Sequence, residues 1–271
     1  MPLAAAPEPA IAAHVPLAPG VYIVGAGPGD PELLTVRGQR LLQRADVILY
    51  ANSLVPQQVL DWTRPEADRI GTASLTLEAI VPLMIERVRA GQSVVRLHSG
   101  DPSLYSAIHE QIQALTAADI PFEVVPGISA FQAAAAKLNV ELTVPGLVQS
   151  IILTRISGRT QVPEAEELTT LAAHQASLCL YLSARHVETA QAKLLRHYAP
   201  ETPVALCYRI GWPDEQIRLV PLAAMATATR QDDLVRTTLY IISPALQATA
   251  ARSRLYSPDH AHLFRPRAKA D

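Results

Sequence analysis

Cysteine is nearly absent from this 271-residue chain: Cys179 and Cys207 are its only two. That excludes a disulfide framework and offers no metal-ligand spacing. No metal site is expected, and a reducing, cytoplasmic setting is the default. Charge of one sign is also lacking. Lys and Arg number 23 against 25 Asp and Glu, a net charge of −2. No basic field is available to hold a nucleic-acid backbone. Aromatics make up only 5% of the residues, which excludes a base-stacking platform. No uninterrupted apolar run approaches the roughly 18 residues that mark a membrane span. Neither nucleic acid nor membrane is therefore expected as a partner. Glycine is scarce too, twelve in all, below the average of about 7%. Yet three of those twelve stand close together, at Gly25, Gly27 and Gly29.

What is present is apolar bulk. Hydrophobic residues are 49% of the chain and charged ones 18%, enough to build sizeable cores. At about 150 residues per domain, the length suits one large domain or two ordinary ones. Residues 1–20 are rich in Ala and Pro, without Lys, Arg or a long apolar run. They fit neither a secretory signal nor a transit peptide and read as a disordered arm. Residues 247–271 carry Arg252, Arg254, Arg265, Arg267 and Lys269 against Asp259 and Asp271, and read as a solvated tail.

Between these ends, short apolar runs alternate with stretches of helical periodicity. Strands are expected at 21–25, 47–51, 93–98 and 122–125, and helices at 31–44, 76–90, 103–118 and 129–138. Strands apolar throughout, separated by helices, signify a parallel sheet covered on both faces. Pro and Gly in ELTVPGLV (141–148) break the rhythm and serve as the linker. Strands then follow at 150–155, 177–183, 203–208, 215–220 and 237–243, with helices near 164–174 and 186–198. Two strands close together around GWPD (211–214) suggest a hairpin, hence a mixed sheet. The expected fold is α/β with two α/β domains. The N-terminal one, 21–142, is mostly parallel, and the C-terminal one, 149–246, is mixed.

Three turns at successive strand ends carry small residues. The first is GAGPGDPE (25–32), whose glycines allow close backbone approach ahead of a helix N-terminus. Its G-x-G-x-G spacing is not the dinucleotide fingerprint, and Pro28 removes an amide donor. The second strand also ends in Ala51-Asn52-Ser53, without the acid that a dinucleotide ribose requires. The second turn, RLHSGDPSLYS (96–106), repeats the pattern of strand, glycine, Asp-Pro and helix. Asp30 and Asp101 each suit a helix N-cap. The third is VVPGISAFQAAAA (124–136). Ligands of open α/β sheets lie beyond the carboxyl ends of the strands, so the three turns point to one shared pocket. Gly25, Gly27, Gly29, Gly100 and Gly127 would line it.

Together and in this order, GAGPGDPELLTVRG (25–38), ADVILY (45–50), RLHSGDPSLY (96–105) and VVPGISAFQAAAA (124–136) resemble the S-adenosylmethionine-binding framework of the tetrapyrrole methylase family. The resemblance spans about residues 21–246. Within that family, YANSLVP (50–56), LHSGDPSLYSAIHEQI (97–112), QSIILTRISGR (149–159) and RIGWPDEQI (209–217) are similar to the branch that methylates C-11 of precorrin-4 in corrin ring biosynthesis. That branch usually has Gly where this chain has Asn52. The uroporphyrinogen-methylating branch carries an Asp after the tyrosine of the second strand and a Lys in the next segment. Here Ala51 and GTASLT (71–76) stand there, which favours a later precorrin. The resemblance implies two α/β domains with S-adenosylmethionine between them, and a homodimer. Carried across, the cofactor residues are Pro28, Ser99, Gly100, Asp101, Leu104, Ser129, Ala130, Leu182, Tyr208 and Arg209. The same methylation on cobalt-precorrin-4, or a non-catalytic S-adenosylmethionine or tetrapyrrole-binding module, are the alternatives.

A precorrin carries many carboxylates, so basic residues near the later strand ends are the expected substrate contacts. These are Arg155, Arg159 and Arg185, with His186 and Arg209 nearby. Arg155 and Arg159 flank the turn ISG. Methyl transfer needs positioning more than acid–base chemistry, and no nucleophile or dyad is evident. A catalytic base is therefore unassigned; His98 and Tyr105 are the candidates, His98 because it titrates nearest neutral pH.

Overall fold

A computed structural model describes residues 16–158, 160–234 and 236–248. The chain forms two compact units that divide between Ser129 and Ala130.

The first unit holds five strands: β1 (Gly20–Gly25), β2 (Val47–Tyr50), β3 (Asp68–Gly71), β4 (Ser93–His98) and β5 (Phe122–Val125). They lie in the order β3-β2-β4-β1-β5, and every pairing is parallel. Helices α1 (Val36–Leu42), α2 (Leu77–Arg89) and α3 (Ile108–Ala117) connect them. Side chains alternate across a strand, so the sheet feeds two cores. Val24, Ile48, Val95 and Leu97 join Leu41 and Leu42 of α1 on one face. Val21, Ile23, Leu49 and Val94 join Met84 of α2 and Leu115 of α3 on the other.

The first unit departs from the sequence reading at four places. The helix expected at 31–44 is a 3-10 turn, Pro31–Leu33, followed by α1. Thr35 separates them, because its side chain accepts the Gly38 N–H at 3.0 Å and starts a new helix. The helix expected from 103 starts only at Ile108, since Tyr105 and Ala107 adopt left-handed backbone (φ 55° and 49°). Strand β3 was not foreseen: its sequence DRIG is polar and lies at an exposed sheet edge, so it shows no apolar pattern. The arm expected at 1–20 is ordered from residue 16 onward where described. Leu17 packs on the first core, and the Tyr22 hydroxyl donates to the Ala18 carbonyl at 3.1 Å. Residues 1–15 and 249–271, most of both expected tails, lie outside the described residues.

The second unit contains α4 (Ala130–Leu138), β6 (Ile151–Arg155), α5 (Leu168–Ala172), β7 (Ser177–Tyr181), α6 (Val187–Leu194), β8 (Pro203–Tyr208), β9 (Gln216–Pro221), α7 (Met225–Gln231) and β10 (Thr238–Ile242). The strand order is β6-β7-β10-β8-β9. Only β6 and β7 pair in parallel; β10 runs antiparallel to β7 and β8, and β8–β9 is the expected hairpin. The sheet is therefore mixed. Leu178, Leu180, Leu206 and Tyr240 pack with residues of α5, α6 and α7 into one core. The division between the units falls before the 141–148 linker read from sequence. Helix α4 goes with the second unit because it packs on β10 and the Phe131 N–H donates to the Tyr181 hydroxyl at 3.2 Å.

Candidate active site

The three glycine-bearing turns of the first unit are tied to one another by backbone. Gly27 and Gly100 exchange hydrogen bonds, Gly27 N–H to the Gly100 carbonyl at 3.2 Å and Gly100 N–H to the Gly27 carbonyl at 2.7 Å. The Ala26 N–H donates to the His98 carbonyl at 2.7 Å. The third turn closes onto these two. A Cβ on Gly127 would stand 2.2 Å from the Gly100 carbonyl oxygen and 2.8 Å from Gly25 Cα. A Cβ on Gly25 would meet Gly127 at 2.6 Å. This corrects the expectation that all five glycines line a pocket. Gly25 and Gly127 are required for turns to pack on turns. Gly100, with φ 68°, is different: a Cβ there would meet only Ser129 Cα, at 3.8 Å, so its side is open.

Asp101 is the second fastener. One carboxylate oxygen accepts the Ser103 N–H at 2.8 Å and the Ser103 hydroxyl; the other accepts the Gly127 N–H at 2.8 Å. Burial alone would push this carboxyl up, but the hydrogen bonds from Ser103 and Gly127 together hold it below the ordinary carboxylate value. Asp101 does not cap α3, which begins later. Its carboxylate joins the second turn to the third. Asp30 does cap, accepting the Glu32 N–H at 2.9 Å. Pro28 and Ser129 are buried, whereas Ser99 and Leu104 are half-buried. Pro28, Ser99, Gly100, Asp101, Leu104 and Ser129 thus belong to one cluster of interlocked turns, and Ala130 opens the helix that follows.

In the second unit β6, β7 and β8 all point the same way, so Arg155, Leu182 and Tyr208 gather at one end of the sheet. Leu182 is 68% exposed and Arg209 half-buried, and both hold left-handed backbone (φ 51° and 47°). Such conformations are costly for residues with side chains and gather at functional sites. Arg209 does not stand free: it pairs with Asp214, and its guanidinium lies 4.0 Å from the Trp212 ring centroid. Arg155 reaches back to the Thr160 and Gln161 carbonyls, both at 2.9 Å, and so straps down the loop after its strand. Arg185 is exposed and His186 closes over Gly158, where a Cβ would lie 3.0 Å from its Nε2. Arg159 lies outside the described residues.

The two base candidates differ. Tyr105 is exposed on the turn before α3. His98 is buried, and burial together with the neighbouring Arg96 charge depresses its pKa to about 3. It is neutral at physiological pH and too weak a base to draw a proton efficiently. Sequence reasoning also missed Arg96, buried with Thr72 as its one side-chain partner among the described residues, and Trp212 beneath Arg209. The signal for Arg96 was available: an arginine amid the apolar strand SVVRLH. Among the described residues, no group of three or more His, Cys, Asp or Glu is placed to hold a metal ion.

Residues 20–226 match the profile of the Tetrapyrrole (Corrin/Porphyrin) Methylases. The chain belongs to this family. As a tetrapyrrole methylase it is 45% identical over 247 residues to a precorrin-4 C(11)-methyltransferase of Pseudomonas aeruginosa, covering 91% of this chain and 98% of that one. It is 41% identical over 256 residues to a cobalt-precorrin-4 C(11)-methyltransferase of Priestia megaterium, covering 93% and 99%. Among solved structures, the X-ray structure of a cobalt precorrin-4 methyltransferase superposes with a TM-score of 0.82 at 42% identity, covering 84% of this methylase and 96% of that chain. A uroporphyrin-III C-methyl transferase of Thermus thermophilus complexed with S-adenosylhomocysteine gives 0.69 at 29% identity, covering 86% and 96%.

Proposed function

We propose that this tetrapyrrole methylase transfers a methyl group from S-adenosylmethionine to C-11 of precorrin-4, giving precorrin-5 in corrin ring biosynthesis. The observation that carries the reading is similarity at 45% identity, over nearly its whole length, to a C-11 methyltransferase. The interlocked turns agree with it. They offer an open glycine face at Gly100, backbone groups and small side chains, which suit an adenosyl and amino-acid ligand approaching closely. Pro28, Ser99, Gly100, Asp101, Leu104, Ser129 and Ala130 would hold the cofactor, with Leu182, Tyr208 and Arg209. When bound, S-adenosylmethionine supplies a methyl carbon made electrophilic by its sulfonium.

The chain's own residues orient and exclude. Good orientation lowers a barrier by about 7–11 kcal/mol without acid–base help. That suits a site where His98 is held neutral. Arg185 and Arg159 are proposed to bind substrate carboxylates, and Arg155 to act with them while fixing the loop after β6. The site also falls in a family whose relatives differ in substrate metal: the 41% relative is named for cobalt-precorrin-4. Incubation with metal-free and cobalt-containing precorrin-4 separates the two, by mass spectrometry for the added methyl and NMR for its position. Methylation at a carbon other than C-11 sinks the proposal.

The reading includes a homodimer in a reducing cytoplasm. Two buried free thiols, Cys179 and Cys207, suit that compartment. Half-exposed Phe122 and Val124 on edge strand β5 suit self-association, which sedimentation equilibrium measures. Among the described residues no helix is long and apolar enough to cross a membrane.

A further inference from the structure

Polar groups interrupt the α2/α3 face of the first sheet near its carboxyl end. Arg96 stands in register with Ile23 on one side and Leu49 on the other, an ionic side chain between apolar neighbours. It is only 7% exposed. Of its five donors, one terminal nitrogen gives a hydrogen bond to the Thr72 hydroxyl at 2.8 Å, while Nε–H has no partner. Among the described residues no carboxylate pairs with it, and burial alone lowers its pKa, to about 10. His98 sits two residues on along β4, buried, with Nε2 also without a partner. Gln111 of α3 leaves its carbonyl oxygen unpaired as well.

Thr72 is itself fixed. Its N–H and hydroxyl both donate to the Tyr50 carbonyl, at 2.9 and 3.1 Å. The hydroxyl proton is thereby spent, and the oxygen is left to accept from Arg96. The turn that carries Thr72 is held from the other side by Asn52, whose carbonyl oxygen accepts the Ala73 N–H at 3.0 Å. Gly71 makes room for this clamp, for a Cβ there would touch Asn52 at 3.0 Å.

Buried charges are paired or costly, and arginine cannot shed its proton. A hydroxyl does not neutralise it. The missing partner is an anion, and the planar guanidinium fork fits a carboxylate. We propose that Arg96 receives a carboxylate of the tetrapyrrole substrate and that Thr72, on the turn clamped by Asn52, is the positioning residue that aims it. The carboxylate identification rests on the tetrapyrrole reading above.

The test joins binding with stability. Uroporphyrin III, a stable tetrapyrrole octacarboxylate, is titrated into the full-length wild-type protein and into Arg96→Met, Thr72→Val and Thr72→Ser. S-Adenosylmethionine affinity, Tm, and KM and kcat for precorrin-4 are measured alongside. Arg96→Met is expected to weaken uroporphyrin and raise the precorrin-4 KM by at least about tenfold. Its S-adenosylmethionine affinity should stay within about twofold, and its Tm should hold or rise, because an unpaired buried charge has been removed. Thr72→Val should raise KM in the same direction and Thr72→Ser restore it. Unchanged uroporphyrin affinity in Arg96→Met overturns the proposal, as does a fall in Tm that weakens both ligands alike. Arg96-dependent uroporphyrin binding without methylation of precorrin-4 in the wild type leaves this inference standing and removes the C-11 reading.

Discussion

Asp101 shows how a single side chain serves two turns at once. Its carboxylate accepts from Ser103 and from Gly127, and Asp101→Asn would replace one acceptor by a donor facing an N–H. A buried group left unsatisfied costs about 1–3 kcal/mol, so a Tm loss accompanied by weaker S-adenosylmethionine binding is expected. The folded-state pKa of Asp101 lies below its unfolded value. Its contribution is therefore present above the unfolded pKa of about 3.9 and is lost as pH falls through the folded one. Acid denaturation of Asp101→Asn should be the shallower in that range. His98 acts at higher pH. Its pKa falls from 6.5 in the unfolded chain to about 3 in the fold, so between these values the unfolded state binds the extra proton. Stability is complete above about pH 6.5 and declines toward pH 3. His98→Phe should flatten that decline in urea titrations, and kcat/KM between pH 5 and 8 should have the same pH dependence in His98→Phe as in the wild type.

At the scale of elements, the turns depend on what their glycines touch. Gly127→Ala would drive a Cβ to 2.2 Å from the Gly100 carbonyl oxygen. Backbone must move, at a cost of about 1–3 kcal/mol or more, and the affinity for S-adenosylmethionine should fall with it. Gly91→Ala is the contrast. Its φ is +82°, but nothing lies within 4 Å of the new Cβ. About 1 kcal/mol of backbone strain and unchanged S-adenosylmethionine affinity are expected, by urea unfolding and calorimetry. The loop after β6 depends on Arg155 in a comparable way. Arg155→Ala removes the strap to the Thr160 and Gln161 carbonyls, so limited proteolysis within 156–163 should speed up and the precorrin-4 KM should rise. Cleavage at the wild-type rate would show that the strap does not hold the loop.

For the molecule as a whole, apolar rhythm was the legible part. Runs such as VYIVG, VILY and SVVRLH are apolar because both sheet faces are covered, and they marked the first unit as parallel. The closely spaced strands near 203–220 marked the second as mixed for the same kind of reason: a hairpin needs few residues. The three small-residue turns were also legible, since glycine, proline and aspartate have strong local preferences. The cap expected at Asp101 was not, because its carboxylate is taken up in joining two turns. Strand β3 was not, because an exposed edge strand need not be apolar. Neither was the late start of α3, because left-handed backbone at Tyr105 and Ala107 is imposed by neighbours and not by those residue types.

The sequence by itself determined the alternation of elements, the sparing use of glycine and the family, because these rest on local preference and order along the chain. Only the tertiary structure decided what each conspicuous residue does. Gly25 and Gly127 make room for each other, Asp101 fastens two turns, Arg155 straps its own loop and Arg96 is left as a buried cation without a counter-charge among the described residues. Each of those roles depends on which atoms lie within a few ångströms, and residues far apart in sequence supply most of them.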